Sequence, residues 1–302
     1  MNETKGGDTM KRIAAVLLLF SAIMILLLTH LEMEEEAPQG FAAYRLIAHA
    51  MGSIGEQPYT NAYEAMVVNY EKGTRVFEID LMLTEDRKVV ARHEWTESMT
   101  QQLGQKEKLP DDKQAARLSH EEFINTPILE QYQPMDIEGI MDMMERHPDI
   151  YIVTDTKEQK DRDIQYLFAE IVNAAKERDP RLLDRVVVQI YNEPMLDMVQ
   201  DIYPFQSIIY TLYATQDSPA EITTFVQENH IDAVTMPEYK VSPNFVAKLR
   251  QAGAVTYVHT INDTNTVNNY EKWGVYGVYS DLLTEPELER NSLRYTMTKR
   301  LE

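Results

Sequence analysis

Two histidines, His49 and His93, stand on either side of a Glu-x-Asp pair, Glu78 and Asp80, and each closes a short apolar run that reads as a β-strand. Histidine suits proton transfer because its ordinary pKa of about 6.5 lets it donate and accept near neutrality. Over residues 75–81 (RVFEIDL), Val76, Glu78 and Asp80 alternate with Phe77, Ile79 and Leu81, so both carboxylates project from one face of a strand. Two acids on one face repel unless a cation lies between them. Carboxylate oxygens are hard ligands and suit Mg2+ or Ca2+ better than zinc. These residue types at this spacing point to metal-assisted acid/base cleavage, and so to an enzyme.

The elements that must position them follow from the same periodicity. Residues 84–88 (TEDRK) read as a turn and 88–93 (KVVARH) as a second strand. The connection is too short for a parallel crossover, which takes roughly a dozen residues, so the two runs form a hairpin. With Glu85 facing Lys88 across the turn, the expected register sets Asp80 opposite His93 and leaves Arg92 on the other face from His93. Apolar runs at 44–49, 75–81, 150–155, 186–191, 207–212, 232–236, 254–259 and 276–280 alternate with amphipathic stretches at 61–72, 136–146, 161–178, 193–201, 220–229, 243–251, 264–273 and from Glu285 on. Eight strands alternating with helices predict an α/β fold, a (β/α)8 TIM barrel over residues 41–295, with active residues at the C-terminal ends of the strands. His49, Glu78, Asp80 and Asp155 all fall at such ends.

Tyr191, Tyr210, Tyr213 and Glu238 end later strands and are candidates for the pocket wall, whereas His120, His147 and His230 lie in polar contexts and read as surface residues. Residues 94–134 break the rhythm. They carry no sustained period and read as a long excursion beside the active face, of the kind that is functional or mobile.

The charge balance narrows the partners. With 49 acidic against 29 basic residues and a net charge of −20, the chain lacks the basic footprint that a nucleic-acid partner requires. An acidic surface must also compensate any anionic substrate locally, which favours a bound cation. There is no cysteine, hence no disulfide, thiol nucleophile or cysteine metal site.

Near the start, Lys11 and Arg12 precede 16 uncharged residues, 13–28, and a run of acids follows at 34–36. This order predicts a cytoplasmic segment at 1–12, a transmembrane anchor at 13–31, an acidic linker at 32–40, the barrel outside the cytoplasm and a tail at 296–302. A cleaved signal peptide is the competing reading, but the nearest small-x-small pattern, at 40–42, lies well past the apolar run.

Taken in order, His49-Ala50-Met51-Gly52, Thr60-Asn61-Ala62-Tyr63-Glu64-Ala65, Phe77-Glu78-Ile79-Asp80-Leu81, Val89-Val90-Ala91-Arg92-His93-Glu94 and Asp155-Thr156-Lys157 resemble the glycerophosphodiester phosphodiesterases. That family belongs to the superfamily of phosphatidylinositol-specific phospholipase C. The likeness continues to Val258-His259-Thr260-Ile261-Asn262-Asp263 and Gly277-Val278-Tyr279-Ser280-Asp281. It implies a barrel with a divalent cation, paired acid/base histidines and phosphodiester substrates. Carried over by position, His49 and His93 become the histidine pair, Glu78, Asp80 and Asp155 the metal ligands, and Lys157 a phosphate or transition-state contact. The chain departs from the pattern at three places: Ala50 replaces an Arg of the family's His-Arg-Gly, with one extra residue before Gly52; Asp155 replaces Glu; His259 replaces an aromatic, typically Trp.

The expected protein is therefore a membrane-anchored, extracytoplasmic phosphodiesterase dependent on Mg2+ or Ca2+, acting on glycerophosphodiesters or related lipid or polymer phosphodiesters. A phospholipase cleaving intact lipid at the membrane surface is the alternative among enzymes, and a non-catalytic phosphodiester-binding barrel the alternative outside them.

Overall fold

The computed structural model of the chain describes residues 38–289. Strands β1 (Leu46–Ala48), β2 (Val76–Leu83), β4 (Tyr151–Thr156), β5 (Val186–Ile190), β6 (Ser207–Thr211), β7 (Ala233–Pro237), β8 (Val255–His259) and β9 (Gly277–Ser280) pair in parallel, each with the next. The ring closes where β1 pairs with both β2 and β9. This is the expected (β/α)8 barrel. Its helices are α1 (Tyr63–Glu71), α2 (Glu97–Gln102), α3 (His120–Ile124), α4 (Ile137–Arg146), α5 (Asp161–Arg178), α6 (Glu193–Ile202), α7 (Pro219–Glu228), α8 (Pro243–Gln251) and α9 (Thr264–Lys272), and a last helical segment covers 285–289.

The strands are buried on both faces, which is why they read as nearly continuous apolar runs. Ile47, Val76, Val153, Val187, Ile209, Ala233, Tyr257 and Tyr279 form one cluster, a single residue from each barrel strand. Side chains from eight different strands can meet only inside the barrel. Phe41 and Ala42, from the 3-10 turn Gly40–Ala43, join this layer and plug its N-terminal end. The residues alternating with them, such as Phe77, Ile79, Ile152, Val188 and Val234, pack outward against the helices. There Phe168 of α5 lies edge-on to Phe205 at 6.1 Å, a fully buried contact whose truncation to alanine costs about 3–5 kcal/mol. The helices start where capping chemistry allows: Asp136 caps α4, Ser218 forms a capping box with Glu221 on α7, and Pro219 and Pro243 occupy first-turn positions that need no N–H donor. Closure demands a glycine at 277, because a Cβ there would sit 2.2 Å from the Arg45 carbonyl oxygen.

Two expectations need correction. The hairpin arm β3 (Val89–Ala91) does pair antiparallel with β2, but its register is Leu81↔Ala91 and Leu83↔Val89, one residue from the expected one. Thr84, not Glu85, faces Lys88: its N–H donates to the Lys88 carbonyl at 2.9 Å and its hydroxyl accepts from the Lys88 N–H at 2.8 Å. Asp80 therefore lies opposite Arg92, whose N–H donates to the Asp80 carbonyl at 2.8 Å.

The second correction concerns residues 94–134, which are built from short capped helices and not a structureless loop. Thr96 caps α2, Ser119 and Glu122 form a capping box on α3, and Val90, Leu118 and Phe123 make a small separate core with Trp95 against it. The stretch is fastened to the barrel through Glu158, which accepts from the Leu83 N–H at 2.9 Å and from Arg117 at 2.7 Å. The segments are too short for a helical period to emerge. No helix among the described residues is long and apolar enough to cross a membrane. The anchor expected at 13–31 lies outside the described residues.

Candidate active site

Two residues past the apolar layer, the barrel interior turns polar. Adding two to Ile47, Val76, Val153, Val187, Ile209, Ala233, Tyr257 and Tyr279 gives His49, Glu78, Asp155, Gln189, Thr211, Thr235, His259 and Asp281. A strand period of two therefore carries one polar side chain per strand into a layer next to the apolar one, toward the C-terminal end of the barrel, with Asp80 one further step up β2.

Glu78, Asp80 and Asp155 each bring an oxygen within 4.8 Å of the others. One oxygen of each is held. Glu78 Oε2 accepts from the Ala50 N–H at 2.6 Å, Asp80 Oδ2 accepts from Asn61 Nδ2 at 2.8 Å, and Asp155 Oδ2 accepts from Lys157 Nζ. The second oxygen of each, Glu78 Oε1, Asp80 Oδ1 and Asp155 Oδ1, is buried without an aligned hydrogen bond, although Lys157 Nζ stands 2.8 Å from Asp80 Oδ1. Two of these oxygens have no donor and the third has only an ammonium that it shares with Asp155; leaving them so is costly, and a hard divalent cation is a group that relieves it. The donor set fits such an ion, and these three residues would hold it.

The electrostatics say the same. Burial, reinforced by the neighbouring Asp80, pushes Glu78 up to about 8. Burial also raises Asp155 against the pull of Lys157. At Asp80 burial is outweighed by Lys157, His93 and His49, which hold its carboxyl below the usual range. Lys157, despite its own burial, is held charged by Asp80, Asp155 and Glu78. Glu78 and Asp155 are raised because burial and mutual crowding oppose charging all three acids together.

His49 begins a tight turn after β1. Ala50 and Met51 in that turn take φ of 47° and 71°, and Gly52 follows at 78°. A side chain at 52 would collide with Asn69 Nδ2, which donates to the Met51, Ser53 and Ala65 carbonyls. The turn aims the Ala50 N–H at Glu78 and sets His49 Nδ1 2.8 Å from Asp281 Oδ1. Burial alone would depress the imidazole, but the Asp281 hydrogen bond and the charges of Glu78 and Asp80 push it up to about 9. Asp281 is itself fixed by Asn262, whose Nδ2 donates to Asp281 Oδ2 at 2.8 Å. His93 reaches the same pocket although its strand has slipped by one, because β3 ends at Ala91 and the chain leaves the ladder. Its Nδ1 is buried without a partner. The Tyr59 ring touches both imidazoles edge-on, with centroids 4.8 Å from His49 and 5.2 Å from His93.

Several sequence candidates lie elsewhere. Arg92 turns into the 94–134 stretch, where it donates to the Glu94 carbonyl, Gln105 and Thr100 and stacks on Trp95, so it adds no charge to the pocket. Tyr210 packs in the outer layer with its hydroxyl on Asp217, and Glu238 accepts from Tyr270. Tyr191 and Tyr213 do meet, edge to face at 5.5 Å, and Tyr213 also lies edge-on to His259 at 6.4 Å. His259 has Nδ1 at 3.1 Å from the Thr235 hydroxyl, and burial with the nearby positive charges lowers it to about 4, leaving a neutral wall residue. His230 is exposed, His147 packs on Tyr70, and His120 is tied to Asp136 at 2.7 Å.

Sequence reasoning missed Asp281, Asn61 and Tyr59 as site residues. Asp281 was reachable by adding two to Tyr279. Asn61 and Tyr59 sit in a loop with no period to read.

With this geometry in hand, comparison with known proteins is informative. The sequence profile of the Glycerophosphoryl diester phosphodiesterase family matches residues 51–284. Among solved structures, the chain is similar to a glycerophosphoryl diester phosphodiesterase from Silicibacter pomeroyi, at 16% identity and TM-score 0.65 over 83% of this chain and 94% of that one. It is similar to a glycerophosphodiester phosphodiesterase from Parabacteroides distasonis, at 17% identity and TM-score 0.65 over 83% and 98%. A third, an Oleispira antarctica phosphodiesterase in complex with the product sn-glycerol-3-phosphate, shares 16% identity and TM-score 0.65 over 84% and 99%. At these identities the structural likeness speaks for the fold. No curated protein gives a significant match.

Proposed function

The chain belongs to the Glycerophosphoryl diester phosphodiesterase family and is a phosphoric diester hydrolase with an acidic triad able to hold a divalent cation; from that premise we propose that it cleaves glycerophosphodiesters by paired histidine catalysis with such a cation bound. The observation that carries this reading is the arrangement of three buried carboxylates, two of them with a donor-free oxygen, beside two imidazoles at one end of the barrel. A cation held there, Mg2+ or Ca2+, would neutralise phosphate charge and acidify a bound hydroxyl.

The residues of the chain do the rest. His49, kept protonated by Asp281, is assigned to the departing alkoxide: it delivers a proton as the P–O bond to the alcohol breaks. His93, which has no carboxylate on its Nδ1, takes the proton from the attacking hydroxyl of water or of the substrate's own glycerol. Lys157, beside Asp80 and Asp155, is assigned to the phosphate oxygens. We also propose that residues 13–31 anchor the protein as a single span with the barrel outside the cytoplasm, a reading that rests on the uncharged 13–28 run and its flanking charges.

Deacylated glycerophosphodiesters, intact phospholipid vesicles and a glycerol-phosphate polymer, assayed side by side with and without EDTA, test the substrate. Turnover of the first class alone, abolished by EDTA and restored by Mg2+ or Ca2+, is expected. Preference for vesicles would make it a phospholipase, and full activity in excess EDTA would remove the cation from the reaction. N-terminal sequencing of the membrane-associated protein should find the original start, whereas a start near residue 43 would replace the anchor by a cleaved leader.

A further inference from the structure

The Tyr59 side chain touches both imidazoles, yet it takes no part in the proton transfers assigned to them. Its ring lies nearly perpendicular to both imidazoles, at 84° to His49 and 82° to His93. The residue is half-buried, and its hydroxyl has no hydrogen-bond partner among the described residues. Burial and the charges of Asp281, Asp80 and Glu78 raise its pKa, so the phenol lies in the field of the site and stays protonated as a donor.

The backbone holds it there under strain. Tyr59 has φ of 63°, a region that bulky residues rarely adopt, and Asn61 follows at 48°. Asn61 is locked by two bonds to Asp80, its Nδ2 donating at 2.8 Å and its Oδ1 accepting the Asp80 N–H at 3.1 Å. On the other side Gln102 donates to the Pro58 carbonyl at 3.4 Å. The segment is thus fixed to a candidate metal ligand at one end and to the 94–134 stretch at the other, with Tyr59 presented between them.

An anion entering this site meets no free arginine, and its cationic partners are the protonated His49, Lys157 and the cation that the three carboxylates would hold. Position 50 offers only a methyl group, Arg92 is engaged elsewhere, and Lys157 is shared by Asp80 and Asp155. Neutral donors add to these, and the Tyr59 and Tyr213 hydroxyls both lack a hydrogen-bond partner among the described residues; of the two, it is the Tyr59 ring that touches both imidazoles, whereas Tyr213 lies against His259.

We propose that Tyr59 is a substrate-binding residue whose hydroxyl donates to a non-bridging oxygen of the phosphodiester, while its ring packs against both imidazoles and fixes their orientation. The proposal rests on the phosphodiesterase reading for its substrate, but its test does not. Inorganic phosphate and sn-glycerol 3-phosphate are titrated calorimetrically into the Mg2+-loaded wild type, Tyr59→Phe and Tyr59→Ala, and kcat and KM are measured with a glycerophosphodiester. Tyr59→Phe keeps the ring and removes only an unpartnered hydroxyl, so the fold should be unaffected.

A hydrogen bond to a charged acceptor lost in this way predicts about ten- to hundredfold weaker binding of both anions. It also predicts a matching rise in KM and an unchanged pH profile of kcat. Tyr59→Ala should in addition lower kcat, because both imidazoles lose the ring that packs against them. Wild-type anion affinity in Tyr59→Phe, or a wild type that binds neither anion, overturns the proposal. If the wild type cleaves no glycerophosphodiester while Tyr59→Phe still weakens phosphate binding, the substrate assignment fails and the role of Tyr59 stands.

Discussion

Replacing Asp281 by Asn tests whether the His49–Asp281 pair sets the proton chemistry. The two side chains are only 14% and 11% exposed, so solvent screens their 2.8 Å contact weakly. A hydrogen bond to a charged group contributes about 1.5–3 kcal/mol, and one pKa unit corresponds to about 1.36 kcal/mol, so loss of the charge should lower His49 by roughly one to two units. The neighbouring amide sharpens the effect. Asn262 presents its Nδ2 to Asp281 Oδ2 and its Oδ1 to the Ser280 hydroxyl and the Asp281 N–H. An Asn at 281 must therefore either face that amide donor to donor, or turn its own NH2 toward His49 Nδ1 and favour the wrong tautomer.

A general acid is active while protonated, so its rate contribution disappears as pH rises through its pKa. With His49 starting from about 9, the alkaline limb of the pH–kcat/KM profile should move down by one to two units. Below pH 6 the variant should approach wild type. A cation bound to Glu78 and Asp80 displaces both proteins' limbs by a similar amount and drops out of the difference. The assay is a pH profile between 5 and 10, paired with an NMR titration of His49. Movement of the acid limb would exchange the roles of His49 and His93. An alkaline limb that superimposes on wild type while the NMR pKa falls would refute the mechanism.

Three further outcomes follow from the same geometry. Glu78 must ionise to bind a cation and is raised from 4.5 to about 8 without one, so cation affinity should climb toward pH 8, by up to tenfold per unit, with release of about one proton near pH 7. The same shift makes the metal-free protein lose stability as pH rises from about 4.5 to about 8, and calorimetry in buffers of different ionisation enthalpy checks the proton count; pH-independent affinity would contradict it. His49→Ala and His93→Ala should each lower kcat by about 10^2 to 10^4-fold, with the double variant little worse than the poorer single. A p-nitrophenyl phosphodiester, whose leaving group needs no proton, should rescue only His49→Ala. Gly277→Ala forces a Cβ against the Arg45 carbonyl at 2.2 Å and the Tyr257 ring at 2.7 Å, so it should destabilise the barrel by about 1–3 kcal/mol or more in urea unfolding, and an unchanged midpoint would deny the close approach.

Why some of this could be read from sequence and some could not comes down to the range of the forces involved. Barrel strands are buried on both faces and end at polar residues, so Val186–Ile190 and Ala233–Pro237 announce themselves as apolar runs, and their alternation carries Glu78 and Asp80 to one side. Register is different. It is decided here by one hydroxyl, since Thr84 bonds both the Lys88 N–H and Asp86 and so closes the hairpin one residue earlier than the charges of Glu85 and Lys88 suggest. The slip leaves the site intact because the last bond to β2 is the one from the Arg92 N–H to the Asp80 carbonyl, and His93, one residue on, is placed by the loop and not by the ladder.

Residues 94–134 hide for a related reason: their helices are one or two turns long, so caps such as Thr96 and Ser119 carry the information that periodicity usually carries. Asp281 obeyed the strand rule and could have been found by counting from Tyr279. Tyr59 obeyed none. Its left-handed backbone is imposed by Asn61 on Asp80 and by Gln102 on Pro58, contacts across 19 and 44 residues. A side chain placed by such contacts leaves no local pattern, and in this barrel the positions that sequence could not reach are the ones where strain brings a donor to the substrate.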